Sequence, residues 1–239
     1  MAIDPELRKK LQIFLVAAIL IAAGRAGYIV YDRYQERKEA EKPNAAPALN
    51  ADVYVTPKKL HAHDVKSARD LTKQPVWVKV GYGYTYFPYD AARKKADFKH
   101  EVGTLGPLQK LEIKDVVTDK SPDDPSSKQV LATFALDGKS YAVPVGIEKE
   151  GDTKIYADDM FFLEDPHELY KHWPTDVWTS IDKHEVQPGM SELQTDFAIG
   201  LGVPGSGAYG SRTLKYPNGG NPLVVTFDDD KATSISPGT

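Results

Sequence analysis

The chain has 239 residues, 41% of them hydrophobic and 27% charged, with a formal net charge of −4. This is the composition of a folding chain and excludes a mostly disordered one, while the absence of a basic excess excludes binding led by nucleic-acid phosphates. With no cysteine present, disulfides, thiolate metal sites, cysteine nucleophiles and a lipid-modified cysteine are excluded as well.

A tail of residues 1–10 ends in Arg8-Lys9-Lys10 and leads into Leu11-Gln12-Ile13-Phe14-Leu15-Val16 and the apolar run behind it. Residues 11–31 read as a transmembrane anchor. Ten Leu, Ile, Val and Phe residues in this stretch, at about −0.3 to −0.6 kcal/mol each, outweigh the off-centre Arg25 at below about +3.5 kcal/mol. Tyr28 and Tyr31 suit the interfacial belt. The run also fits a cleaved signal peptide with Ala22-Ala23-Gly24 as a poor cleavage site, but helix-prone sequence continuing through residues 32–41 favours an uncleaved signal-anchor. Basic residues flank both ends. The three that abut the apolar run place the N-terminus inside, which implies a single-pass bacterial inner-membrane protein with its C-terminal domains extracytoplasmic, in the periplasm.

Residues 32–52 are a charged helix followed by a linker rich in Pro and Ala, including Pro43 and Pro47. Residues 53–75 form a lead-in segment with a short helix at 66–71. From Val76 the texture turns to short strands: 76–80, an aromatic run through Tyr82, Tyr84, Tyr86, Phe87 and Tyr89, then 111–117 with Leu111, Ile113 and Val116 inward. A hairpin over 129–136 and 140–145 turns at Asp137-Gly138. Further strands follow at 154–156 and 160–163. Short strands without intervening helical pattern predict a small β-barrel, Greek-key or SH3-like, over residues 76–165. The order Gly103-Thr104-Leu105-Gly106-Pro107-Leu108-Gln109-Lys110-Leu111-Glu112-Ile113 loosely resembles the turn and strand of bacterial SH3-like domains.

Residues 166–239 read as a small α+β unit. A connector at 167–173 stops at Pro174, and a helix follows at 176–184 with Val177, Trp178 and Ile181 on one face. Ser191-Glu192-Leu193-Gln194 is a capping box opening a second helix, whose Leu193, Phe197 and Leu201 recur at i, i+4 and i+8, with Glu192 on its exposed side. Strands at 212–216 and 223–227 flank the turn-rich 217–222. The run from Ile181 through Gly189-Met190-Ser191, Leu201-Gly202-Val203-Pro204, Leu214-Lys215-Tyr216 and Leu223-Val224-Val225-Thr226-Phe227 resembles the BamE-like (SmpA/OmlA) fold. That resemblance implies two helices packed on a small antiparallel sheet, and a non-enzymatic envelope subunit assisting outer-membrane protein assembly. This chain departs from the family in lacking the lipobox cysteine and in carrying the anchor and β-rich segments in front.

Other motifs have plainer readings. Gly200-Leu201-Gly202-Val203-Pro204-Gly205 matches a dinucleotide fingerprint but follows a helix where a strand is needed, so it reads as a helix-ending loop. His61-Ala62-His63-Asp64 lacks a third metal ligand and reads as a solvated pair. His167 and His172 flank an aromatic helix, and Asp228-Asp229-Asp230 is a polar turn without the spacing of a calcium loop. No hydrolase elbow, P-loop or zinc-protease motif occurs. No catalytic, cofactor or metal residue is therefore expected. The candidate binding surface is Tyr82, Tyr84, Tyr86 and Tyr89, which on one strand face would form an amphipathic platform. The expected function is a membrane-anchored scaffold or assembly subunit working through protein–protein interaction with envelope proteins. The alternative is a binding module that grips peptidoglycan or a peptide through the SH3-like region.

Overall fold

The computed structural model describes residues 25, 27–34 and 50–238. Residues 1–10, most of the anchor expected at 11–31 and most of the helix and linker expected at 32–52 lie outside them. The described part of the anchor belongs to α1 (residue 25 and residues 27–34). Among the described residues no helix is long and apolar enough to cross a membrane, which corrects the expected transmembrane helix and the single-pass, signal-anchor reading built on it. The physical reason is charge: the described helical residues carry Arg25, Asp32 and Arg33, and each charged side chain is costly in a hydrocarbon core.

From Tyr54 onward the chain is one compact unit. It opens with α2 (Val65–Ala68), where the Asp64 carboxylate accepts the Ser67 N–H and Ser67 returns a bond to the Asp64 backbone, a reciprocal cap. A 3₁₀ turn, Arg69–Lys73, then delivers the chain to β1 (Val76–Val78). The strands β2 (Thr85–Asp90), β3 (Lys95–Ala96), β4 (Gly103–Thr104), β5 (Lys110–Leu111), β6 (Asp115–Lys120), β7 (Ser127–Leu136), β8 (Lys139–Lys149) and β9 (Asp152–Ile155) follow. The main sheet has the order β3-β2-β8-β7-β6, with β4 on β2 and β9 on β8, and curls into a nearly closed barrel. Asp137 and Gly138 both take positive φ at the β7–β8 turn, as the Asp-Gly pair demands of a two-residue hairpin. Leu111, Ile113 and Val116 are all in the barrel core.

After α3 (Ala157–Met160) comes β10 (Phe161–Phe162), which pairs with β1 in a separate three-stranded sheet, β10-β1-β5. Side chains alternate across a strand, and here the alternation serves two cores. Val76, Val78 and Phe161 pack with the barrel, whereas Trp77 and Phe162 pack with the C-terminal elements. The small sheet is thus a wall common to both hydrophobic clusters.

The C-terminal elements are α4 (Pro166–Leu169), α5 (Thr175–Asp182), α6 (Glu192–Ile199), β11 (Val203–Ala208), β12 (Ser211–Tyr216), β13 (Leu223–Asp228) and β14 (Lys231–Pro237). The four strands form an antiparallel sheet in sequence order. Ser191 caps α6 as expected, its side chain accepting the Gln194 N–H while Gln194 answers at the Ser191 backbone. Phe197 is buried against Phe162, Tyr170 and Trp173. Two readings of this helix change. Leu201 is 56% exposed, because Gly200 at φ 85° ends α6 after Ile199 and takes Leu201 off the helical face. Glu192, expected outside, is only 2% exposed.

Candidate functional site

The four tyrosines do not share one platform. Tyr84 and Tyr86 lie against the barrel core, Tyr86 edge-on to Phe134 and Tyr141 at 5.7 and 5.2 Å. Tyr89 sits on the opposite strand face with Val117, Leu131 and Ala142, as an odd step along β2 requires. Tyr82 precedes the strand, at φ 62°, with its ring over Gly200 and Gly219. All four are half-buried. Burial raises the hydroxyl pKa of Tyr84, Tyr86 and Tyr89.

Within the compact unit, three exposed apolar side chains gather around β11. Every residue of this strand is exposed, and it is an edge of the four-stranded sheet. Leu201, Val203 and Tyr209 along it are 56, 55 and 69% exposed. An edge strand presents unpaired N–H and C=O groups that can pair with another chain. The first half of β11 is blunted, since Pro204 has no N–H and a register shift separates Pro204 from Gly207 on β12. The second half, residues 205–208, carries only small side chains.

What positions this edge is a polar cluster on α6. Glu192 and Asp196 stand one helical turn apart and reach the two ends of β11. Asp196 Oδ1 accepts the Gly202 N–H at 3.3 Å just before the strand, and Glu192 Oε1 accepts the Gly210 N–H at 2.9 Å just after it. On β12, Arg212 donates from Nε to Glu192 Oε2 at 3.0 Å and from Nη2 to the same oxygen at 2.7 Å. Its guanidinium also lies 5.3 Å from the Tyr209 ring centre. Desolvation raises the Asp196 carboxyl pKa to about 6, opposed by the Gly202 N–H. Burial likewise pushes the Tyr216 hydroxyl upward. That hydroxyl is buried beside Asp196 without a hydrogen bond of ordinary geometry.

The remaining motifs settle simply. Gly200 begins a helix-ending loop, and Asp229 and Asp230 form the β13–β14 turn at φ 50° and 55°. His63 is exposed, and among the described residues no group of three or more His, Cys, Asp or Glu is placed to hold a metal ion. His167 stacks on Trp178 at 4.1 Å and bonds Asp165 and Asp182 through its two ring nitrogens. Sequence reasoning missed β11 and the Glu192 cluster. Val203-Pro204-Gly205-Ser206-Gly207 has the composition of a loop, and nothing in it signals a strand.

No family model matches the chain, and no curated protein or solved structure matches it.

Proposed function

We propose that the chain is a non-catalytic interaction module, a scaffold or assembly subunit that holds an extended segment of a partner polypeptide along the outer edge of β11. The observation that carries this reading is the full exposure of an edge strand flanked by three exposed apolar side chains, Leu201, Val203 and Tyr209. An extended peptide gains affinity from main-chain bonds along such an edge and specificity from side chains beside it. Gly205, Ser206, Gly207 and Ala208 leave the approach unobstructed, while Glu192 and Asp196 hold both strand ends so that little ordering remains to be done on binding. The BamE-like resemblance of the two helices and the strands behind them supports the same role and carries with it an envelope setting. The SH3-like reading of the barrel adds a second small module of the kind that binds proteins.

The test is affinity capture with the full chain and with Ser206→Pro, which removes a backbone N–H from the middle of β11. The reading expects a stoichiometric protein partner held by the wild type and lost from Ser206→Pro and from Leu201→Asp, with both variants keeping the wild-type circular dichroism. Equal capture by wild type and Ser206→Pro would refute it. So would a wild-type homodimer in sedimentation that Ser206→Pro dissociates, because the edge would then be covered by a second copy.

A further inference from the structure

A cleft of about 310 Å³ opens in the same compact unit, lined by Trp77, the turn 106–109, His167, Ile181, Asp182 and His184. From its geometry we infer that this cleft is a binding site for a single neutral sugar ring. The inference stands apart from the β11 edge, with which the cleft shares no residue.

Size comes first. The volume is at the bottom of the roughly 300–1,000 Å³ range of small-molecule pockets, so it has room for one small ring. Charge comes next. The Asp182 carboxylate on the wall opposes an anion, and the Lys110 ammonium, 5.3 Å from the Trp77 ring centre, occupies the aromatic position a cation would seek. A neutral ligand meets neither objection.

The polar groups on the wall then specify hydroxyls. His167 is held through both ring nitrogens, but His184, Asp182 and Gln109 are each held by one atom and leave another without a protein hydrogen bond among the described residues. His184 Nδ1 donates to the Ala198 carbonyl at 2.9 Å, which leaves Nε2 as an acceptor. Asp182 Oδ1 is bonded to His167 Nε2 at 3.1 Å, which leaves Oδ2. Gln109 Oε1 accepts the Gly106 N–H at 2.8 Å, which leaves the two N–H donors of its Nε2. Two oriented acceptors and one two-hydrogen donor around apolar Trp77, Pro107, Leu108 and Ile181 suit a ring with C–H faces and a hydroxyl rim. A purely apolar ring would leave these polar groups desolvated and unpaired, which costs free energy.

The experiment titrates the full chain with glucose and N-acetylglucosamine and follows the Trp77 indole N–H resonance by NMR. Cyclohexanol serves as a ring of similar size without the hydroxyl rim. The expected result is a saturable shift with a sugar, a dissociation constant in the millimolar range, and no saturation with cyclohexanol. Asp182→Ala and His184→Ala should each weaken binding about three- to tenfold, the equivalent of one lost hydrogen bond, while exposed Lys183→Ala should leave it unchanged. Tighter binding of an N-acetylglucosamine tetrasaccharide than of the monosaccharide would assign the ring to a glycan chain, and equal binding to a free sugar; both support the site. Failure of any sugar to saturate, equal binding of cyclohexanol, or variants that bind as wild type in a folded chain would each overturn the inference.

Discussion

Replacing Glu192 by alanine tests the arrangement that holds β11. The side chain is buried, accepts the Gly210 N–H at 2.9 Å and takes three bonds from Arg212 at 3.3, 3.0 and 2.7 Å. Truncation deletes all of them at once and leaves a backbone donor and a guanidinium facing an emptied site. Bonds to a charged group contribute about 1.5–3 kcal/mol net, and breaking a buried ion pair costs about 3–5 kcal/mol. Arg212 retains some access to solvent and can rehydrate, so the expected loss for Glu192→Ala is about 2–3 kcal/mol. Urea unfolding of the full chain, followed by the fluorescence of the tryptophans of the C-terminal hydrophobic cluster, measures it. Glu192→Gln should lose less, because the amide oxygen still accepts from Gly210. Exposed Glu185→Ala should stay within about 0.5 kcal/mol of wild type. If Glu192→Ala also falls within about 0.5 kcal/mol of wild type, the buried pair does not hold the strand and the reasoning fails.

Three further outcomes are expected. Phe197→Ala should cost about 3–5 kcal/mol by opening a cavity among Phe162, Tyr170 and Trp173, whereas Ser191→Ala should cost about 0.5–2 kcal/mol through the lost cap; urea midpoints give the order. Burial raises the Asp196 pKa from 3.8 to about 6, so the folded chain binds this proton more tightly than the unfolded chain. Its contribution is present at low pH and is lost as pH rises through about 6. Comparing wild type with Asp196→Asn at about pH 4 and about pH 7 should therefore show the variant gaining relative stability at the higher pH, and a pH-independent difference would contradict the assignment. Gly200→Ala should destabilise by more than about 1 kcal/mol in thermal melts, because Gly200 sits at φ 85° and a Cβ would lie 2.7 Å from the Gly81 carbonyl oxygen.

Local signals in the sequence were enough for the elements that depend only on near neighbours. The Ser191 capping box, the Asp137-Gly138 hairpin turn, the inward set Leu111, Ile113 and Val116, and the strands at 212–216 and 223–227 all follow from spacing and turn chemistry. Tertiary structure decided the rest. Nothing local says that Glu192 turns inward, because its position on the helix is that of a solvated residue and its partner Arg212 lies twenty residues on. Strand β11 exists because β12 offers it a ladder, against a composition of Pro and Gly that argues for a loop. The tyrosines divide between two faces for a geometric reason, since Tyr84 and Tyr86 face one cluster and Tyr89 the other once β2 pairs with β8. The apolar run at 11–31 marks a strongly hydrophobic segment by composition alone, yet among the described residues no helix is long and apolar enough to cross a membrane, and the described helical residues at 25 and 27–34 carry three charged side chains. Sequence determined which segments are apolar, where helices and turns begin, and that no cysteine chemistry is available. Which side chains share a site was decided only by packing, because burial and pairing depend on partners far away along the chain.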